Sequence, residues 1–135
     1  MIGTPANKYR KKNMEKYRAY ARDWVKRNPE KHRANSARSI KKQRFLVIKH
    51  YSKGKFECAC CGEKEYRFLA IDHINNDGAK HRKDVKAVNI TWWLVKNGYP
   101  EGFQILCSNC NFGKRVTGVC PHLEPMPRPK EEDFD

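Results

Sequence analysis

The sequence predicts an α+β fold in which a basic helical arm precedes a small domain of short strands and helices. Two observations predict the domain: Cys-X-X-Cys pairs stand at its two ends, and apolar runs of strand composition lie between them. A third predicts the arm, because residues 1–55 contain 18 Lys or Arg and only three acids. A chain of 135 residues has room for one such domain with its appendages.

The basic arm, residues 1–55, is predicted to form two similar helices. The segment NMEKYRA at 13–19 recurs as NPEKHRA at 28–34, and each copy begins with Asn and an acid close behind it. Asn28 is the predicted N-cap of the second helix, and Pro29 its first residue. This helix is expected to reach residues 45–48, whose apolar side chains would dock on the domain.

An aromatic stripe lies on the first of these helices. Tyr17, Tyr20, Ala21 and Trp24 follow at helical spacing and therefore share one face. We expect this stripe to pack against protein rather than to stack on bases, since packing is the commoner role of such a pattern.

The charge distribution favours a polyanionic partner. The chain has a formal net charge of +14, of which the arm contributes +15, residues 56–120 contribute +2 and residues 121–135 contribute −3. A bias of this size favours DNA bound through its phosphates, largely without regard to sequence, although charge alone does not separate DNA from RNA. The acidic segment 121–135 contains four prolines and is predicted to be disordered.

The six cysteines indicate a metal site. The chain has no apolar run long enough to cross a bilayer and no secretory signal, so we expect a cytoplasmic protein with reduced thiols. Two Cys-X-X-Cys turns can present four thiolates to one tetrahedral ion, which predicts a closed, structural Zn²⁺ site formed by Cys58, Cys61, Cys107 and Cys110. Cys60 offers a rival pairing with Cys58, and Cys120 with His122 offers substitute ligands.

The order of elements between the cysteine pairs follows from local signals. RFLAIDHI at 67–74 is predicted as a strand that ends in a polar Asp-His pair, followed by a turn at 75–78. A helix over 84–97 is expected, with Asp84 as its cap and Gly98 and Pro100 as its stop. A second short strand is expected at 103–106, and a final helix from Asn111 that carries Lys114 and Arg115.

These motifs, in this order, resemble the HNH (ββα-metal) nucleases, especially the zinc-containing branch typified by phage recombination endonuclease VII. The likeness is carried by IDHINNDG and FQILCSNCNFGK together with the first cysteine pair, and it covers roughly half of the chain. It implies a zinc-stabilised ββα-metal module with metal-dependent DNA endonuclease activity, encoded by a phage or mobile element and acting in the bacterial cytosol or nucleoid. The alternatives are a non-catalytic zinc-knuckle DNA-binding protein and an RNA-directed nuclease.

The resemblance assigns roles that the chemistry of phosphodiester hydrolysis also asks for. His73 is the expected general base, because a neutral imidazole can accept the proton of water. Asp72 and Asn111 are expected to hold Mg²⁺ or Mn²⁺ through oxygen atoms. His81, with Arg82, would contact the scissile phosphate or assist the metal. One such site per chain predicts a nick, and a double-strand break would need a homodimer or two visits.

One position departs from the family pattern. An Asn that orients the catalytic His often precedes the second cysteine pair in these nucleases, and Gly102 stands there in this chain. We therefore expect His73 to be oriented by a backbone carbonyl or by a residue of the inserted helix.

Overall fold

A computed structural model of the protein describes residues 5–86, 89–125 and 128–134. The chain divides into two compact units, Met1–Ser39 and Ile40–Asp135. The division falls within a helix rather than at residue 55, because Val47 and Ile48 of that helix are 0% and 1% exposed in the core of the second unit.

Three helices occupy the N-terminal part of the chain: α1 (Pro5–Lys12), α2 (Met14–Arg27) and α3 (Pro29–Tyr51). The two predicted helices correspond to α2 and α3, whereas α1 was not predicted. Asn28 stands at the predicted position immediately before α3, where its carbonyl accepts from the His32 amide at 3.0 Å. Its side-chain Nδ2, however, bonds the preceding helix by donating to the carbonyl of Trp24 at 3.0 Å. Asn13 makes the same bond to Tyr9 at 3.0 Å, so the sequence repeat is matched by a repeated structural feature at the end of the preceding helix.

The aromatic stripe of α2 is not packed within its own unit. Tyr17 is 42% exposed and Tyr20 is 64% exposed, and α2 contains no buried residue. The rings of Tyr17 and Tyr9 lie edge to face, with a distance of 6.4 Å between their centroids. The expectation that this stripe packs is therefore wrong for Tyr17 and Tyr20 in the single chain, because α1 and α2 provide no core to receive it.

The second unit is built on strand β1 (Leu69–His73), which the sequence predicted with its Asp-His pair at the end. Two short helices follow, α4 (Gly78–Val85) and α5 (Ile90–Lys96), where one helix over 84–97 was expected. That expectation is wrong because Lys86 adopts a left-handed conformation with φ of 47° and ends α4. The carboxamide Oδ1 of Asn89 then accepts from the Thr91 and Trp92 amides at 3.0 and 3.2 Å and starts α5.

Strand β2 (Phe103–Cys107) pairs antiparallel with β1, and helix α6 (Ser108–Thr117) follows it directly. The register sets Asp72 opposite Gln104 and Leu69 opposite Cys107. The helix begins at Ser108 and not at Asn111, because the Cys107 sulfur accepts from the Cys110 amide at 3.5 Å and so acts as the N-cap. The predicted α+β class is confirmed, with a strand–strand–helix unit at its centre.

The core of the second unit is small and rich in cysteine. Its buried residues are Ile48, Cys58, Leu69, Ile105, Leu106, Cys107, Cys110 and Cys120. The guanidinium of Arg44 holds the end of α3 against the start of β1 by donating to the carbonyls of Leu69 and Tyr66, at 2.7 and 3.1 Å. Half of the cluster consists of thiols, so apolar burial alone provides little stability here.

The segment predicted to be disordered begins with a turn at 121–123 and includes a single 3₁₀ turn at Glu131–Phe134. Among the described residues, no helix combines the length and apolar character that a membrane crossing would require.

Candidate functional site

Four cysteine sulfurs converge where the sequence predicted a zinc site. Cys58, Cys61, Cys107 and Cys110 have sulfur atoms that all lie within 4.8 Å of one another, and the Cys61 and Cys107 sulfurs are 3.6 Å apart. Tetrahedral zinc with bonds of about 2.3 Å to sulfur separates two ligand sulfurs by about 3.8 Å. This cluster could therefore hold a zinc ion.

Backbone hydrogen bonds shape the first cysteine turn. The Cys58 amide donates to Glu63 at 2.8 Å and the Gly62 amide donates to Cys58 at 3.0 Å, which closes the turn. Gly62 has a φ of 76°, a value that favours glycine. The Ala59 amide donates to the carbonyl of Ile105 at 2.8 Å and thereby joins this turn to β2, which leads into the second cysteine pair.

The thiols respond differently to this environment. Burial opposes ionisation of Cys58, but hydrogen bonds from the backbone of Cys61, Cys107 and Cys60 outweigh it and lower the Cys58 pKa to about 7. Burial raises the pKa of Cys110 well above its ordinary range. A metal cation offsets such a penalty, because zinc binds the thiolate and releases the proton.

Three of the four other candidate residues line a separate cleft of about 500 Å³, whereas His81 is not among its lining residues. Asp72 and His73 reach it from the end of β1, and Asn111 from α6. The other lining residues include three basic ones: Arg82, Lys114 and Arg115. The fold therefore brings together three of the predicted catalytic residues beside a cluster of positive charge.

Asp72 is held by two neighbours that the sequence did not indicate. Its Oδ2 atom accepts from Lys114 Nζ at 2.7 Å and from Gln104 Nε2 at 2.8 Å. Lys114 also donates to the carbonyl of His73 at 2.6 Å, so one ammonium group fixes both residues of the Asp-His pair. Asp72 Oδ1 and the Asn111 side chain make no hydrogen bond to the described residues, which leaves both free for a ligand in the cleft.

Replacement of Lys114 by Met is expected to lower the free energy of unfolding by about 3–5 kcal/mol, because the carboxylate of Asp72 would lose its partner in a buried environment. The side chains of Lys114 and Asp72 are only 10% and 9% exposed. Urea denaturation of the zinc-loaded protein measures the loss. The matched control is Lys64→Met, which breaks an exposed pair with Glu57 and should cost less than about 1 kcal/mol. Equal losses in the two variants would contradict a structural role for the buried pair.

His73 is oriented by His81, the residue for which the sequence allowed a role in the site. His73 Nε2 lies 3.1 Å from His81 Nδ1, and His81 belongs to α4. This contact is neither of the two that were expected, since His81 is a side chain and precedes residues 84–97. Gly102, the residue that the resemblance to HNH nucleases sets against an Asn, makes a different contact: its carbonyl accepts from the Ile74 amide at 3.0 Å.

Burial and the neighbouring His81, in that order, lower the pKa of His73. His73 Nδ1 has no hydrogen-bond partner among the described residues and faces Gly78, where an added Cβ would lie 3.0 Å from it. His81 Nε2 is buried without a hydrogen-bond partner in the described part of the chain. The ring of His81 meets that of Trp93 edge to face, with centroids 4.5 Å apart.

A second group of potential ligands lies next to the four-cysteine cluster. Cys60, Cys110, Cys120 and His122 also place their ligand atoms within 4.8 Å of one another. Cys120 and His122 were predicted only as substitute ligands for the four-cysteine site, and His122 belongs to the segment predicted to be disordered. Comparison of the chain with protein-family models, with curated proteins and with solved structures gave no match.

Proposed function

We propose that this protein is a metal-dependent endonuclease of the HNH (ββα-metal) type that hydrolyses phosphodiester bonds in DNA. The observation that carries the proposal is the cleft at the end of β1, where Asp72, His73 and Asn111 meet beside a strand–strand–helix unit with a cysteine cluster. A binding module would have no need of all three residues in one place. Each of them has a chemical task in hydrolysis.

The basic residues of the cleft support binding of a phosphate. Arg82 and Arg115 line it together with Lys114, and both arginines are exposed. A guanidinium can donate two parallel hydrogen bonds to phosphate oxygens, which positions the group as well as neutralising it. Lys114 is already engaged by Asp72, so the arginines are the better candidates for direct phosphate contact.

The oxygen atoms of the cleft fit a hard divalent cation. Asp72 Oδ1 and the Asn111 amide oxygen are both free of hydrogen bonds to described residues, and Mg²⁺ favours one or two protein oxygens completed by water and phosphate. Mg²⁺ or Mn²⁺ held there would stabilise negative charge on the departing oxygen. Lys114 and Gln104 hold Asp72 in place by donating to its other oxygen, Oδ2.

His73 is the proposed general base. In this proposal its Nε2–H donates to His81 Nδ1, which leaves the lone pair of Nδ1 to accept the proton of the attacking water. His81 is then a positioning residue and carries its own hydrogen on the buried Nε2, next to the aromatic ring of Trp93. The lowered pKa of His73 keeps the imidazole neutral and ready to act.

Asn111→Ala is expected to raise the Mg²⁺ or Mn²⁺ concentration needed for cleavage while leaving the zinc content unchanged. Amide and carboxylate oxygens favour hard cations, whereas thiolates hold zinc. Loss of the Asn111 amide should therefore weaken binding of Mg²⁺ or Mn²⁺ without affecting binding of zinc. Asp72→Ala should act in the same direction but also destabilise the fold, because it leaves Lys114 unpaired. Cleavage measured against metal concentration, together with zinc analysis, tests both variants.

The control for this titration is Asn109→Ala, on the same helix but outside the cleft, which should retain the wild-type metal dependence. Duplex DNA, branched DNA and RNA should be compared as substrates. A metal dependence that is the same in Asn111→Ala and the wild type would remove Asn111 from the proposed site. Loss of zinc from Asn111→Ala would contradict the separation of the two metals.

The basic arm is proposed to provide most of the affinity for DNA. Deletion of residues 1–50 would not test this affinity alone, because it would also remove Val47 and Ile48 from the core of the second unit. Lys11, Lys16 and Lys26 are exposed in the first unit, and their combined replacement by Gln should remove three phosphate contacts. The slope of log Kd against log salt should then change by about 2.7, at about 0.9 for each phosphate.

The matched control replaces Lys64, Lys83 and Lys96, which are exposed in the second unit beyond the arm and outside the cleft, by Gln. Both triple variants lose the same net charge, so a difference between them reports position rather than total charge. Similar losses across unrelated DNA sequences are expected, because phosphate contacts read no bases. Identical salt slopes in the arm variant and the wild type would contradict the DNA-binding role of the arm.

A further inference from the structure

Three potential metal ligands outside the predicted four-cysteine site lie close to one another: Cys60, Cys120 and His122. The sulfurs of Cys60 and Cys120 are 3.3 Å apart. The imidazole Nδ1 of His122 lies 3.3 Å from the Cys110 sulfur, 3.6 Å from that of Cys120 and 3.8 Å from that of Cys60. Cys110 is therefore the one residue that belongs to both groups.

These separations, 3.3–3.8 Å, lie within a few tenths of an ångström of those in a tetrahedral zinc site. Bonds of about 2.3 Å to sulfur and about 2.0 Å to nitrogen set neighbouring ligand atoms about 3.5–3.8 Å apart. Three thiolates and one imidazole are also a common ligand set of structural zinc. The second group therefore matches both the geometry and the donor types of a closed zinc site.

The fold brings the last two ligands to this position. Gly118 ends α6 in a left-handed conformation with φ of 82° and turns the chain back. Pro121 then packs so closely on Gly113 of α6 that an added Cβ there would lie 2.6 Å from the proline ring. The Leu123 amide donates to the carbonyl of Cys120 at 2.8 Å and closes the turn that contains His122.

The number of donors matches two ions and not one. Two tetrahedral ions that share one ligand need seven donors, and the two groups together contain six cysteines and one histidine. A thiolate has enough lone pairs to bind two metals, and the shared Cys110 is 1% exposed. With a single ion in the first group, the ligand atoms of Cys60, Cys120 and His122 would remain 3.3–3.8 Å apart without a metal. With a single ion in the second group, the sulfurs of Cys61 and Cys107 would remain 3.6 Å apart without one.

We propose that the protein binds two zinc ions in one cluster, with Cys110 as the bridging thiolate. Cys58, Cys61 and Cys107 complete the first site, and Cys60, Cys120 and His122 complete the second. The second ion ties the turn after α6 to the first cysteine turn. It also supports one wall of the cleft, because Gly118 lines the cleft and its carbonyl accepts from Asn76 Nδ2 at 3.0 Å.

Zinc analysis and native mass spectrometry of the reduced full-length protein test this proposal, and neither depends on catalytic activity. We expect two zinc ions per wild-type chain and one in Cys60→Ser and in Cys120→Ser. Leu123→Ala, an exposed neighbour of His122, is the matched control and should retain two. One zinc in the wild type would overturn the proposal, as would a Cys60–Cys120 disulfide in the zinc-loaded protein.

Cadmium provides a test that needs no variant to fold. Protein loaded with ¹¹³Cd should show two resonances, one from a site of four sulfurs and one from a site of three sulfurs and a nitrogen. The two resonances should be coupled to each other through the Cys110 sulfur. A single resonance, or two without mutual coupling, would overturn the bridged cluster.

Discussion

His73→Ala is expected to lower the rate of DNA cleavage by about 10²–10⁴-fold, the usual contribution of a general base. The affinity for DNA should be unchanged, because the exposed lysines and arginines of the arm do not involve His73. Single-turnover cleavage at saturating protein, with Kd measured separately, distinguishes the two effects. The variant should retain its zinc and its unfolding midpoint, since His73 is not in the cysteine cluster.

His32→Ala is the matched control, because His32 is exposed on α3 and does not line the cleft. His81→Ala should reduce the rate as well, and His81→Asn should restore part of it, since an Asn amide can occupy the position of Nδ1. Undiminished cleavage by His73→Ala would assign the base to another residue. Weakened DNA binding with an unchanged rate of chemistry would make His73 a binding residue only.

Removal of zinc is expected to unfold the second unit. Apparent binding free energies of structural zinc are about 10–16 kcal/mol at pH 7, which exceeds the stability that a core this small can supply. The two groups of potential zinc ligands together include four of the buried core residues, so loss of metal opens the centre of the unit. A strong chelator under reducing conditions should abolish the fluorescence and near-ultraviolet dichroism signals of the folded unit, including that of the partly buried Trp93.

Addition of zinc should restore both signals, whereas Mg²⁺ should not, because hard cations bind thiolates poorly. Cys107→Ser should reproduce the effect of the chelator, since Cys107 also caps α6. Ser108→Ala is the control for a change at that helix end. A fully folded protein without zinc would contradict the structural role of the cluster.

The parts of the fold that the sequence predicted are those set by local chemistry. The spacing of Cys58, Cys61, Cys107 and Cys110 identified the cluster, because two Cys-X-X-Cys turns can present their thiols to one ion. Strand β1 and its terminal Asp-His pair were predicted from the apolar, strand-type composition of residues 67–74 and from the turn signal at 75–78. Helix α3 was recognised at Pro29, where the fixed φ of proline suits a first helical residue.

The parts that it missed depend on contacts between distant residues. Lys114 pairs with Asp72 across 42 positions in sequence, and nothing near either residue indicates the other. The break between α4 and α5 depends on the left-handed conformation of Lys86, a residue type with no strong preference for it. One local signal was available but underused: Asn89 followed by Thr91 and Trp92 is a typical helix start, and it predicts the beginning of α5.

Cys120 and His122 show a third kind of difficulty. The sequence indicated both as substitute ligands, but His122 lies at the start of a segment whose prolines and acids favoured disorder. The contact of Pro121 with Gly113 places both next to Cys110, and only the folded path of the chain after α6 reveals it.

The measurement that tests the nuclease proposal most directly is the nicking of supercoiled plasmid DNA by the full-length, zinc-loaded protein, with and without Mg²⁺. We expect nicked circles to accumulate with Mg²⁺, with no cleavage in its absence, and His73→Ala to nick at least about 100-fold more slowly under the same conditions. Linear product should appear only later, because one site per chain cuts one strand at a time. Plasmid that is bound by the protein but stays intact at every Mg²⁺ and Mn²⁺ concentration would contradict the proposal and identify a non-catalytic DNA-binding protein.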